Sequence, residues 1–125
     1  MKPVVSARDY LAAVKQQIRE ETAHDAAARL ASEPRPVLVD VRERDEYEGP
    51  LGHIKGSRLI PLSELPSRAS ELARDTPVVA VCRSGARSAQ AVVMLQKAGF
   101  VDVANLAGGM LRWRAESNAV EAGRD

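Results

Sequence analysis

The stretch from residue 78 to residue 88 constrains this chain most, because it joins a strand, a reactive side chain and a helix start. Val78-Val-Ala-Val81 is typical of a buried strand, and Cys82, the only cysteine of the chain, follows directly. Arg83-Ser-Gly-Ala-Arg-Ser88 then leads into a run typical of a helix. A thiol is therefore predicted between the carboxyl end of a strand and the amino end of a helix.

The predicted loop has the features of an anion-binding site around a reactive thiol. Unpaired backbone N–H groups and a helix dipole favour the thiolate form of cysteine. Arg83 and Arg87 add positive charge, and Gly85 allows a tight turn in which N–H groups face inward. The alternative is an inert buried cysteine, the usual state of a lone one. The unit Cys82-Arg-Ser-Gly-Ala-Arg87, followed by a helix, favours the reactive site.

Composition narrows the possible functions. The net charge of +1 predicts no strong attraction to nucleic acid or to a membrane. The single cysteine excludes an internal disulfide, and with only His24 and His53 besides it no metal or other cofactor is expected. A group carried on Cys82 must pass to another molecule, because the chain has no second thiol. No long apolar run or signal-like start is present, so a cytoplasmic location is expected.

Strands and helices alternate along the chain, which predicts an α/β fold: a small parallel sheet of about five strands with helices on both faces. The strands are expected at Val37–Val41, Arg58–Leu62, Val78–Cys82 and Val101–Leu106, with one short addition near the N-terminal helix. The helices are expected from Ser6 to about Glu20, at 26–31, at 44–47, within 63–73, from Ser88 to Ala98, and after Gly109.

Polar residues at the sheet edge have two interpretations each. Asp40 and Arg42 end a predicted strand, so in a parallel sheet they would share an edge with Cys82. They form either a structural pair or, for Arg42, part of an anion site. His53, in a glycine-rich loop, is expected to cap a turn rather than to act as a base, and His24 to be a surface residue.

Five separated segments together resemble the rhodanese family of sulfurtransferases, and they occur in the family's order. The resemblance runs from about Thr22 to Glu116. The segments are Asp40-Val-Arg-Glu43, Glu46-Tyr47, Gly52-His-Ile-Lys-Gly56, Cys82-Arg-Ser-Gly-Ala-Arg87 and Gly108-Gly-Met-Leu-Arg-Trp113.

The resemblance implies a rhodanese-like domain in which Cys82 takes a sulfane sulfur from an anionic donor such as thiosulfate or a persulfide. The resulting persulfide would pass its sulfur to cyanide or a thiol, with a protein as a further candidate donor or acceptor. The substrate-binding residues would be Arg83, Ser84, Gly85, Ala86, Arg87, Ser88 and Arg42. Structural support would come from Asp40, His53 and Trp113.

The resemblance also suggests boundaries: an N-terminal helical extension at 1–21, the rhodanese-like domain at 22–117 and a frayed tail at 118–125. The extension could pack on the domain or meet a partner. Two departures from the family pattern stand beside the predicted site. About two additional residues lie between Tyr47 and Gly52, and Ser57 replaces a usual alanine, so this loop is expected to differ in shape.

Two other functions use comparable features. A cysteine phosphatase or arsenate reductase needs Cys-x5-Arg, whereas the seventh position here is Ser88 and Arg87 comes one residue early. The resulting six-residue loop suits a sulfur atom better than a phosphate. A non-catalytic binding module on the same scaffold is the second alternative. The cysteine, which inactive relatives commonly lack, favours the enzyme over this alternative.

Overall fold

The computed structural model describes residues 6–123, which form one parallel sheet surrounded by helices. The strands are β1 (Arg19–Glu21), β2 (Val37–Asp40), β3 (Arg58–Leu59), β4 (Val78–Val81) and β5 (Val103–Leu106). The α-helices are α1 (Ala7–Gln17), α2 (Ala23–Leu30), α3 (Arg44–Tyr47), α4 (Leu65–Arg68), α5 (Ala86–Lys97) and α6 (Gly109–Ala115). Single 3-10 turns, Leu62–Glu64 and Ala69–Glu71, flank α4.

The five strands lie in the order β1-β5-β4-β2-β3, and every pair is parallel. The strand before Cys82 is therefore central, with β2 on one side and β5 on the other. Asp40 pairs in register with Val81, and Asn105 with Ala80, so the carboxyl ends of three strands meet at one edge. The predicted α/β fold with a five-stranded parallel sheet is confirmed.

Two hydrophobic cores lie on opposite faces of the sheet, because successive residues of a strand point to opposite sides. Val78 and Ala80 pack in one core with residues of α5. Val79 and Val81 pack in the other core with residues of α2 and α6. All four side chains are buried, so β4 is covered on both faces, as its continuous apolar sequence predicts.

The N-terminal segment differs from the sequence prediction at its carboxyl end. The helix ends at Gln17, and Arg19–Glu21 form an edge strand whose backbone pairs with residues 104–106. Hydrogen bonds to β5 thus override the helical spacing, which continues as far as Ile18. Val14 and Ile18 are buried in the core that contains α5, so the described part of this segment packs on the domain.

The C-terminal segment also differs from its expected fraying. His53 and Glu121 exchange backbone hydrogen bonds of 3.0 and 2.7 Å, and the Trp113 indole donates to the Ala119 carbonyl at 2.9 Å. These contacts are long-range and depend on the folded loop around residue 53, which explains why polar composition alone suggested a loose tail. Residues 1–5 and 124–125 lie outside the described part of the chain. Within the described part, no helix is long and apolar enough to cross a membrane.

Candidate active site

The cysteine loop forms where β4 ends and α5 begins, as the sequence predicts. Cys82 is the first residue after the strand, and α5 starts four residues later at Ala86. The turn between them depends on Gly85, whose φ of +100° is left-handed and which caps the helix. A Cβ at this position would also lie 3.3 Å from the Gly108 nitrogen. The loop therefore requires glycine for its conformation, and the nearby Gly108 backbone leaves little room for a side chain.

The first residues of α6 hold the cysteine loop through backbone hydrogen bonds. Met110 and Leu111 donate their N–H groups to the carbonyls of Cys82 and Arg83, at 2.9 and 3.1 Å. The close approach is possible because Gly109 has no side chain: a Cβ there would lie 2.4 Å from the Cys82 carbonyl oxygen and 2.5 Å from that of Arg83. These carbonyls are thereby turned towards α6.

The Cys82 sulfur is enclosed by donors from its own loop. Sγ accepts hydrogen bonds from the N–H groups of Gly85 at 3.1 Å and Ser88 at 3.4 Å. The Ser88 hydroxyl oxygen lies 3.2 Å from Sγ. Cys82 is only 1% exposed, so a reacting group has to enter the loop to reach the sulfur. Backbone donors thus surround the position where negative charge would develop on sulfur.

Four further N–H groups of the loop remain available for an anion. Within residues 6–123, the backbone N–H groups of Arg83, Ser84, Ala86 and Arg87 donate to no protein acceptor. The unpaired N–H groups at the start of α5 are those that a helix leaves without an internal partner. The six-residue loop can therefore supply backbone donors to a bound anion.

Asn105 is a site residue to which the sequence reading assigns no role. It is fully buried on β5, and its Nδ2 donates to the Gly85 carbonyl at 3.0 Å. Its Oδ1 lies 2.5 Å from the Ser88 hydroxyl oxygen, which donates to it. A polar residue inside the apolar strand Val101–Leu106 is the signal that could have drawn attention to it, since buried amides need partners.

The two arginines of the loop have different environments. Arg87 forms a bidentate pair with Glu46 of α3, with both N–O distances 2.7 Å. The Arg87 hydrogen bond lowers the pKa of Glu46 from 4.5 to about 2, and Glu46 in turn raises the pKa of Arg87. Arg83 is exposed and, within residues 6–123, makes no ion pair. Arg83 therefore carries the uncompensated positive charge of the loop.

Asp40 and Arg42 form a buried pair at the end of β2. The Asp40 carboxylate accepts from Nε and Nη2 of Arg42, at 2.9 and 2.8 Å. The same guanidinium donates to the carbonyls of Glu46 at 3.2 Å and Gly52 at 2.8 Å. Since its donors serve these groups, the structural interpretation of Arg42 is favoured, and a direct contact with substrate stays a prediction.

The other two supporting residues lie away from the sulfur. His53 is fully buried, its ring is stacked on Tyr47 at 3.7 Å between centroids, and its Nδ1 contacts the Tyr47 carbonyl at 3.0 Å. Trp113 is 4% exposed in the core that contains α6. These contacts favour the structural roles expected for both residues.

A cavity of about 320 Å³ opens beside the cysteine loop. It is lined by Arg42, Glu46, Pro50, Leu51 and Arg83. Pro50 and Leu51 lie between Tyr47 and Gly52, and Arg114 of α6 donates to both of their carbonyls, at 3.2 and 3.1 Å. This segment supplies an apolar wall to the cavity, while Arg83 supplies a charge without an ion-pair partner among residues 6–123.

Comparison with known proteins places these features in a family. Residues 22–116 match the family described as "Rhodanese-like domain". A protein from Allochromatium vinosum named "Sulfurtransferase" is 38% identical over 96 residues, which is 77% of this chain and 88% of the relative. The uncharacterized protein YqhL of Bacillus subtilis is 44% identical over 82 residues, 66% of this chain and 64% of that relative. The match thus spans slightly less than two thirds of YqhL.

A solved structure agrees with this assignment. The polysulfide-sulfur transferase homodimer from Wolinella succinogenes is 28% identical and superposes with a TM-score of 0.79, covering 94% of this chain and 88% of that one. The packing of the cysteine loop against Gly108 and Gly109 at the start of α6, the parallel sheet order and the family match over residues 22–116 lead to the same conclusion. The chain belongs to the rhodanese-like domain family.

Proposed function

We propose that this protein is a sulfurtransferase in which Cys82 carries a sulfane sulfur as a persulfide. One observation carries the proposal: the Cys82 sulfur accepts backbone hydrogen bonds from Gly85 and Ser88 at the junction of the six-residue loop and α5. The relatives named as sulfur-transferring proteins support the same class of reaction.

The reaction would proceed by two displacements. The Cys82 thiolate attacks the outer sulfur of the donor, so that a new S–S bond forms while the bond to the donor remainder breaks. With thiosulfate, sulfite leaves with the electron pair of the broken bond. A cyanide ion or a thiolate then attacks the outer sulfur of the persulfide, and Cys82 leaves as a thiolate. The thiol proton goes to solvent before the first step.

The loop would contribute by stabilising charge. A persulfide anion concentrates its charge on the outer sulfur, which hydrogen-bond donors fixed in advance stabilise without reorganisation. The N–H groups of Arg83, Ser84, Ala86 and Arg87 are the candidates for this role, since the structure leaves them without a protein acceptor within residues 6–123. Discharge must be intermolecular, because the chain has a single cysteine.

The surroundings of the loop favour a particular kind of donor. Thiosulfate and persulfides both present the outer sulfur as a terminal atom, which suits a nucleophile that is 1% exposed. Arg83 would attract their negative charge, and the cavity beside it could hold an organic remainder against Pro50 and Leu51. The proposed donors are therefore thiosulfate and organic persulfides, and the acceptors are cyanide or a thiol, free or on a protein.

The test is the intact mass of the protein after brief incubation with thiosulfate or glutathione persulfide and removal of the reagent. We expect a gain of about 32 mass units, one sulfur atom, that cyanide or a thiol reverses. The matched control is Cys82→Ser, which keeps the size of the side chain and should gain nothing.

A protein that gains no mass with either donor would contradict the proposal. In that case the loop would be a binding site on the same scaffold. Steady-state kinetics give a second check, since two displacements predict parallel reciprocal plots, whereas intersecting plots would require a ternary complex.

A further inference from the structure

Asn105 joins two residues of the cysteine loop that both contact the reactive sulfur. Its Nδ2 donates to the Gly85 carbonyl at 3.0 Å, and its Oδ1 accepts from the Ser88 hydroxyl at 2.5 Å. Gly85 and Ser88 each donate a backbone N–H to the Cys82 sulfur. All four residues are buried, so no solvent competes for these hydrogen bonds. The amide of Asn105 is thus connected to the reactive sulfur through Gly85 and Ser88.

The orientation of the Asn105 amide is fixed by its neighbours. A carbonyl oxygen can only accept, so the group facing Gly85 must be Nδ2, and Oδ1 must face Ser88. The Ser88 hydroxyl has a single proton and lies within hydrogen-bond distance of both Oδ1 and the Cys82 sulfur. An amide oxygen is a stronger acceptor than a neutral thiol sulfur, so the proton is assigned to the hydrogen bond with Oδ1. The hydroxyl therefore turns lone pairs, and not its proton, towards the Cys82 sulfur 3.2 Å away.

We propose, building on the sulfur-transfer function above, that Asn105 is a positioning residue that holds the Ser88 hydroxyl as an acceptor for the Cys82 S–H. In this arrangement the thiol, the hydroxyl and the amide form one chain of hydrogen bonds, Cys82 to Ser88 to Asn105. Loss of the thiol proton breaks the chain: if the hydroxyl turns to the thiolate, Oδ1 loses its donor.

Asn105 thus opposes the two backbone N–H groups that favour the thiolate. The consequence is that Cys82 stays a neutral thiol, which is less reactive than the thiolate, between reaction cycles. The Ser88–Asn105 hydrogen bond sets the free-energy cost of forming the thiolate. The charged groups around Cys82 do not alter this argument, because they stay the same when Asn105 is replaced. These groups are Arg87 paired with Glu46, Asp40 paired with Arg42, and the exposed Arg83.

The test is the rate of alkylation of Cys82 by iodoacetamide as a function of pH, measured for the wild type and for Asn105→Leu. Leucine has about the size of asparagine but makes no hydrogen bond. We expect the midpoint of the pH profile to move to lower pH, and the rate at a pH below the midpoint to rise about fivefold, because the freed Ser88 hydroxyl can donate to the thiolate.

A double-mutant comparison separates this role from simple packing. In a Ser88→Ala background, Asn105→Leu should leave the midpoint unchanged, because the hydroxyl through which it acts is gone. Asn105→Ala serves as a second variant in case leucine prevents folding. Asn118→Leu serves as a control, because Asn118 lines a cavity that includes no residue of the cysteine loop. Thermal unfolding of each variant shows whether it is folded.

Two results would overturn the inference. One is an Asn105→Leu or Asn105→Ala protein that is folded but has an unchanged midpoint, which would make Asn105 a packing residue. The other is a midpoint that moves to higher pH, which would mean that Ser88 already donates to the sulfur. Alkylation needs no sulfur donor, so either result can be told from a failure of the sulfur-transfer proposal.

Discussion

Two arginine–carboxylate pairs each place one residue, Arg42 or Glu46, at the cavity beside the cysteine loop, and the pairs differ mainly in burial. The Asp40–Arg42 pair is 0% and 1% exposed, and its guanidinium also holds two backbone carbonyls. The Glu46–Arg87 pair is bidentate like the first and has slightly shorter contacts, both 2.7 Å, but its side chains are 28% and 36% exposed. One pair connects the end of β2 to the segment after α3, and the other connects α3 to the cysteine loop.

The difference indicates that similar chemistry has two different uses. A buried charge cannot lose its partner without a large desolvation penalty, so the first pair must stay closed. A partly exposed pair is screened by solvent and contributes little to stability, so it can open at a small free-energy cost. The first pair is therefore suited to fixing the shape of the site, and the second to adjusting the charge that the loop presents.

The largest effect should come from breaking the buried pair. Arg42→Met leaves the Asp40 carboxylate buried without its partner, and we expect a loss of about 3–5 kcal/mol in the free energy of unfolding. Urea denaturation measures it. Arg44→Met, which breaks a largely exposed pair with Glu48, is the matched control and should cost at most about 1 kcal/mol. Equal losses for the two variants would mean that burial does not distinguish the pairs.

A smaller effect on stability, but a visible one on substrate binding, is expected from Glu46→Gln. Glutamine keeps the shape of the side chain while leaving the Arg87 charge uncompensated, so stability should fall by about 0.5–1 kcal/mol. The KM for thiosulfate should fall by about threefold at low salt. The difference in KM from the wild type should become smaller as added salt screens the charge. An unchanged KM at low salt would show that Arg87 does not act on the donor.

The smallest effect is the pH dependence of the stability difference between the wild type and Glu46→Gln. Arg87 lowers the pKa of Glu46 from 4.5 to about 2 in the folded protein. A carboxyl with a lowered pKa stabilises the folded state above its unfolded value, and this contribution is lost as the pH falls through the folded value. The wild type should therefore exceed Glu46→Gln in stability by a constant amount above about pH 5, and by less and less towards pH 2. Urea denaturation of both proteins at several pH values measures the difference, and a constant difference down to pH 2 would contradict the prediction.

Local patterns were enough to predict the parts of the site that lie close together in sequence. The strand before Cys82, the glycine turn and the following helix are contiguous, and each has its own propensity or turn signal. Alternation of strands and helices then gave the parallel sheet. The sequence Thr22-Ala-His-Asp25 is typical of a capped helix start, and the Thr22 hydroxyl accepts from the Asp25 N–H at 3.0 Å.

Contacts between distant segments could not be predicted in this way. Nothing in the sequence around Glu46 shows that it pairs with Arg87, 41 positions away, since that contact depends on how α3 packs beside the loop. The short strand β1 follows a helical pattern and exists because β5 offers a free edge. Asn105 contacts the cysteine loop only because β5 lies beside β4, so the effect of this polar residue depends on the sheet order and not on its own strand.

The close contact between Gly109 and the cysteine loop has a consequence for the synthesis of the chain. A polypeptide leaves the ribosome from its amino end, so Cys82 emerges before α6 does. Until then, the carbonyls of Cys82 and Arg83 lack the N–H groups of Met110 and Leu111 that hold them. The cysteine loop thus reaches its final hydrogen bonding only after α6 has been synthesised, and a growing chain that stops before Met110 does not hold these two carbonyls.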